Sequence, residues 1–148
     1  MTPPEKLFRS TRTLPASPEA VYDAFRQPAL LAEWWGPDGF RNDFESFDFR
    51  VGGRWVFDMI GPDGQRYANT NEFVALEPGR RVVIRHACPP YFTLSVSLQP
   101  SGDSTLLTWE QVFDEAATAR AVRTIVEPAN EQNLDRLTRV LAAAGPQA

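Results

Sequence analysis

PANEQNLDRLTRVLAAA, residues 128 to 144, reads as a helix with two different halves on one face. Proline suits a first helical turn, where its missing N–H is not needed, and no glycine or second proline interrupts the run to about Ala144. At about 100° per residue, Asn130, Leu134, Leu137 and Leu141 fall in one sector, with Asn133 and Val140 on its flank. The C-terminal half of that face is apolar and the N-terminal half carries two carboxamides. Such a stripe of leucines has to be buried against a second layer. Just upstream, Asp114 can cap a separate helix from Glu115 to about Val126, since Pro128 is expected to begin a helix and not to lie inside one.

The second layer is written in the middle of the chain. From Asn42 the apolar period becomes two: Phe47 and Phe49, a Gly52-Gly53 turn, then Trp55, Phe57 and Met59 alternating with Val56 and Asp58. Gly61-Pro62-Asp63-Gly64 turns the chain into Tyr67 to Leu76, and Glu77-Pro78-Gly79 leads to Val82, Val83 and Ile84. Pro89-Pro90 precedes Phe92, Leu94, Val96 and Leu98, and Ser101-Gly102-Asp103 leads into Thr105 to Phe113. These are six strands of a meander, and Leu7 to Leu14 makes a seventh. Between the first strand and the meander, Ser17-Pro18-Glu19 announces a helix with Val21, Ala24 and Phe25 on one face. Pro28 starts another short one through Leu30, Leu31, Trp34 and Trp35, stopped at Gly36-Pro37. The fold class is therefore α+β: a seven-stranded antiparallel sheet around a long C-terminal helix, with two short helices after strand one.

A chain of 148 residues fits one domain, 1–148, and a globule of that size hides roughly 70% of its unfolded surface. Its 43% hydrophobic and 23% charged residues lie near the usual globular balance. A net charge of -4, with basic residues scattered along the sequence, argues against nucleic acid and anionic lipid as partners. The opening MTPPEKLFRSTRT lacks the apolar core of a signal peptide, and no stretch is long enough to insert in a bilayer, so a cytoplasmic location is expected. One cysteine, Cys88, and one histidine, His86, cannot supply a disulfide or a usual zinc site. No metal and no cofactor are expected. The ends around Pro3-Pro4 and Gly145-Pro146 read as irregular.

The two asparagines are the most informative local feature, because a buried carboxamide group without a partner costs roughly 1–3 kcal/mol. Either strand carbonyls and fixed water satisfy Asn130 and Asn133, or they form the polar part of a small-molecule site. Trp34, Trp35, Phe44, Phe47, Phe49, Trp55, Phe57, Met59, Phe92 and Trp109 could either plug or line the space between helix and sheet. His86, in phase with Val82 and Ile84, points inward as a structural group more readily than as a general base. Glu72, Glu110, Asp48 and Asp58 lie in strands, where acids usually take the solvent face. No phosphate loop, serine elbow or paired metal ligands are present, so no catalytic set is assigned.

The order of elements resembles the helix-grip fold of the START and birch-pollen-allergen (SRPBCC) superfamily. EWWGP (Glu33 to Pro37), FDFRVGG (Phe47 to Gly53), GPDGQRY (Gly61 to Tyr67), TLLTWEQVF (Thr105 to Phe113) and PANEQNLDRL (Pro128 to Leu137) resemble its bacterial branch related to the activator of the Hsp-ninety ATPase. The resemblance implies a cavity between sheet and C-terminal helix that receives lipid-like or polyketide-like molecules. Carried onto this sequence, it implies Trp35, Phe49, Trp55, Phe57, His86, Phe92, Trp109, Asn130 and Asn133 as ligand-binding residues. Asn71, where many members carry glycine, would narrow or polarise the pocket. The expected partner is a hydrophobic or amphipathic small molecule. A homodimer and a chaperone complex stand as further partner states, the chaperone disfavoured because the cochaperones' separate N-terminal domain is not seen in this chain. Two other functions remain open: a chaperone-interaction module, with a filled interior and an exposed docking face, and an aromatase or cyclase using His86 or Glu110.

Overall fold

The computed structural model describes residues 3 to 144, so the Gly145-Pro146 end lies outside the described residues. A single 3-10 turn, Pro4–Lys6, leads into strand β1 (Leu7–Leu14). Helix α1 (Pro18–Arg26) begins where Ser17 Oγ accepts the Ala20 N–H at 3.2 Å, with proline in its first turn. Helix α2 (Pro28–Trp34) follows directly. The meander comprises β2 (Arg41–Phe47), β3 (Arg54–Ile60), β4 (Arg66–Glu77), β5 (Arg81–His86), β6 (Phe92–Ser101) and β7 (Ser104–Phe113), and helix α3 (Ala116–Ala144) closes the chain.

All seven strands pair antiparallel in the order β1-β7-β6-β5-β4-β3-β2, so the first strand returns beside the last and only β1 and β2 are edges. The fold class expected from the sequence is present. Leu134, Leu137 and Leu141 are buried in the main core cluster with Leu14, Val82, Val96 and Leu107. Complete burial of a leucine stabilises by about 1.5–3 kcal/mol, so this stripe is a principal anchor of α3.

Two boundaries differ from expectation. The helix is continuous through Pro128, where a break was expected. Pro128 and Thr124, whose carbonyl loses its helical partner, are both exposed, so water can take the place of the missing N–H. Packing of Ala119 with Phe8 and Phe113 anchors the N-terminal part of the helix, while the leucines hold the rest. In addition, β2 ends at Phe47, leaving Phe49 in the connection to β3. The register shift between Phe44 and Ser46 lets Phe44 and Phe47, three apart, face the same side, opposite Phe57 and Trp55. Gly53 closes this connection because a Cβ there would meet the Asp48 carbonyl at 2.0 Å.

Candidate functional site

The inner face of β3, β4 and β7 and the α2–β2 loop build one aromatic cluster. Trp55 stacks on Phe57 with ring centroids 4.4 Å apart, and Trp35 packs on Trp55 at 4.9 Å and on Trp109 at 6.0 Å. Phe47 and Phe49 extend the cluster through Phe73 toward the surface. Four of the expected ligand residues, Trp35, Trp55, Phe57 and Trp109, therefore meet in the interior. The space that large side chains were expected to plug or line is filled: Trp55 is 0% exposed and Phe73 1%.

Polar atoms inside this cluster are not all satisfied. The indole N–H groups of Trp55 and Trp109 and the Oδ1 of Asn71 are buried without a hydrogen-bond partner. Asn71 lies opposite Trp55 on one side and His86 on the other, so donor and acceptor groups share one row of the sheet. Each such unpaired group costs about 1–3 kcal/mol unless something meets it.

His86 stacks on Phe92 at 4.5 Å, Nδ1 lies 2.7 Å from the Pro90 carbonyl, and Nε2 lies 2.8 Å from the Asn69 side chain. Burial pushes its pKa below the ordinary histidine value, against the opposing pull of the Pro90 carbonyl. The Pro90 carbonyl can only accept, so Nδ1 carries a proton and donates to it. Glu110, the other candidate for proton transfer, alternates with Trp109 and Gln111 on the opposite face of β7 and pairs with Arg9 at 3.5 Å. It is thus not beside His86, and the two do not form an acid–base pair. Asp58, likewise, pairs with Arg66 at 3.1 Å.

The asparagines both have protein partners. Asn130 Nδ2 donates to Gln111 Oε1 at 2.9 Å. Asn133 accepts the Gly36 N–H at 3.2 Å and donates to the Trp34 carbonyl at 2.8 Å, which holds the loop bearing Trp35 against α3. The glycine of EWWGP is required here: its φ is +98°, and a Cβ would lie 2.7 Å from Met59 Cε.

One residue of this construction was missed in the sequence. Arg136 donates to the carbonyls of Glu33, Trp35, Gly36, Pro37 and Phe40 at 2.9–3.2 Å, encircling its guanidinium with the α2–β2 loop. Burial lowers its pKa, and among the described residues no carboxylate lies within 4 Å. An arginine beside a leucine stripe ordinarily faces solvent, and no local spacing signals five carbonyls about a hundred positions earlier.

A cavity of about 510 Å³ between α1 and the β2–β3 and β4–β5 connections is lined by Tyr22, Phe49, Val51, Leu76 and Pro78. Another of about 470 Å³ lies between β1 and α3, with Asn130 on its wall. A third, of about 730 Å³, lies between α2, β2 and the end of α3. Among the described residues no group of three metal-ligating side chains occurs and no helix is long and apolar enough to cross a membrane.

A family model described as Activator of Hsp90 ATPase homolog 1-like protein matches residues 15–142. A crystal structure of a protein from Nitrosomonas europaea shares 20% identity and a TM-score of 0.88, covering 97% of this chain and 99% of that one. A Chromobacterium violaceum protein is 27% identical with a TM-score of 0.81, covering 91% and 96%. A protein from Silicibacter pomeroyi named AHSA1 is 21% identical, with a TM-score of 0.74 and coverage of 93% and 99%. No curated protein matches the sequence.

Proposed function

This chain belongs to the Activator of Hsp90 ATPase homolog 1-like family, and from that membership we propose that it binds a hydrophobic or amphipathic small molecule between sheet and α3. The observation that carries the reading is the set of unpartnered polar atoms, Trp55 Nε1, Trp109 Nε1 and Asn71 Oδ1, within an aromatic interior. An apolar wall with a few convergent hydrogen-bonding groups is how small-molecule sites are built. The ligand's acceptor takes an indole N–H and its donor takes Asn71, while Trp35, carried on a loop, and half-buried Phe49 move to admit the apolar body. His86, Phe92 and Asn130 border this site from β5, β6 and α3, and Asn133 positions Trp35 without touching the ligand.

The test is a thermal-shift screen of flavonoids, polyketide-like aromatics and fatty alcohols, followed by tryptophan fluorescence titration of each compound that stabilises. A selective ligand raises the melting temperature and changes the emission of the clustered tryptophans. Asn71→Leu removes an unpaired buried group, so it stabilises the free protein while weakening that ligand. Absence of stabilisation by every compound, with unchanged fluorescence, overturns the proposal.

A second reading, a docking module for a chaperone, draws on the filled interior and on Val51 and Ile125, which are 64% and 71% exposed. It predicts that Val51→Asp weakens capture of the chaperone in a pull-down with purified protein, leaving the ligand screen negative.

A further inference from the structure

We infer that the groove between α2, β2 and the C-terminal end of α3 binds a single-chain amphiphilic carboxylate, at a site separate from the aromatic interior. Its apolar floor is made by Leu30, Phe40, Val140 and Ala143, and its volume of about 730 Å³ is ample for one alkyl chain. Arg41, Arg136 and Arg139 line the same groove against one lining carboxylate, Glu33. Three of the basic residues that look scattered along the sequence are gathered here by the fold.

The balance of charge favours an anion. Arg41 has no carboxylate within 4 Å among the described residues, Arg139 meets Asp38 only at 3.8 Å, and Arg136 spends its donors on neutral carbonyls. On a chain of net charge -4 this is a local excess of positive charge. The cavity beside α1 is balanced instead, since Arg26 pairs with Asp23 at 2.9 Å and Arg50 with Asp48 at 2.7 Å. An apolar floor with guanidinium groups lining it matches an alkyl chain ending in a carboxylate, whose two oxygens fit the planar fork of arginine. A polyanion would leave the floor exposed.

The probe is dodecanoate, below its micelle concentration, titrated into the full chain and followed by amide chemical shifts and calorimetry. Shifts centred on Arg41 and Val140 are expected, with affinity rising about fourfold per methylene from octanoate to dodecanoate. Arg41→Gln with Arg139→Gln should weaken dodecanoate at least about tenfold and leave dodecanol unaffected. Val140→Glu should abolish both. Arg136 is left intact because it holds the loop. Asn71→Leu, which reports on the interior, should leave dodecanoate binding unchanged, so failure of the interior reading does not carry this one with it. Overturning results are equal binding by the double arginine variant, loss of binding in Asn71→Leu, no shift at these residues at about 1 mM ligand, or a dimer in sedimentation that Val140→Glu dissolves.

Discussion

Replacing Asn133 by leucine separates a residue that holds the protein from one that holds a ligand. The substitution keeps the branching at Cγ but leaves the Gly36 N–H and the Trp34 carbonyl, now bonded at 3.2 and 2.8 Å, without partners. Trp34 ends α2, so its carbonyl has no helical donor to fall back on. Two orphaned groups at about 1–3 kcal/mol each, less about 1 kcal/mol for the added apolar surface, give a net loss of about 1–5 kcal/mol. For a chain near this size, each kcal/mol moves the melting temperature by about 2–4 °C, so a fall of about 2–20 °C is expected. Differential scanning calorimetry on wild type and Asn133→Leu measures it, and urea unfolding supplies the free energy at 25 °C. Trp35 rides on the released loop, so its fluorescence should become more solvent-exposed. Ligand affinity should change only through this loosening. A melting temperature within about 2 °C of wild type, with ligand binding lost, would refute the assignment of Asn133 to the loop and return it to the ligand.

Other consequences follow from the same contacts. Pro128→Ala restores the N–H that bonds the exposed Thr124 carbonyl inside α3 and should stabilise the protein by about 1–3 kcal/mol in urea unfolding; destabilisation would show that packing needs the proline. Arg136→Lys cannot reach five carbonyls with one ammonium and should lose about 2–4 kcal/mol, seen also as faster amide exchange at Gly36 and Phe40. His86, buried with its pKa below the ordinary value of 6.5, binds fewer protons folded than unfolded. Its contribution to stability is therefore full above pH 6.5 and declines as pH falls from there to the folded pKa, and His86→Gln should flatten that part of the stability profile measured by denaturant titration.

How much was legible depends on the range of the interaction. The leucine stripe, the period-two strands and the turn glycines are local patterns, and a sheet with one buried face leaves them few other arrangements. Those patterns alone determined the seven strands, the two short helices and the burial of Leu134, Leu137 and Leu141. They did not show that α3 passes unbroken through Pro128, because that depends on which face meets water. The phase of α3 placed Asn133 toward the interior, but its partners lie 97 and 99 residues earlier, and Arg136 reaches a loop about as distant. Whether a buried carboxamide meets a ligand, a loop or a strand is settled only by what tertiary packing brings within 3 Å of it. The same holds for the basic groove: Arg136 and Arg139 are neighbours one turn apart on α3, but Arg41 lies 95 positions before Arg136 and joins them only because α2 packs against both α3 and β2.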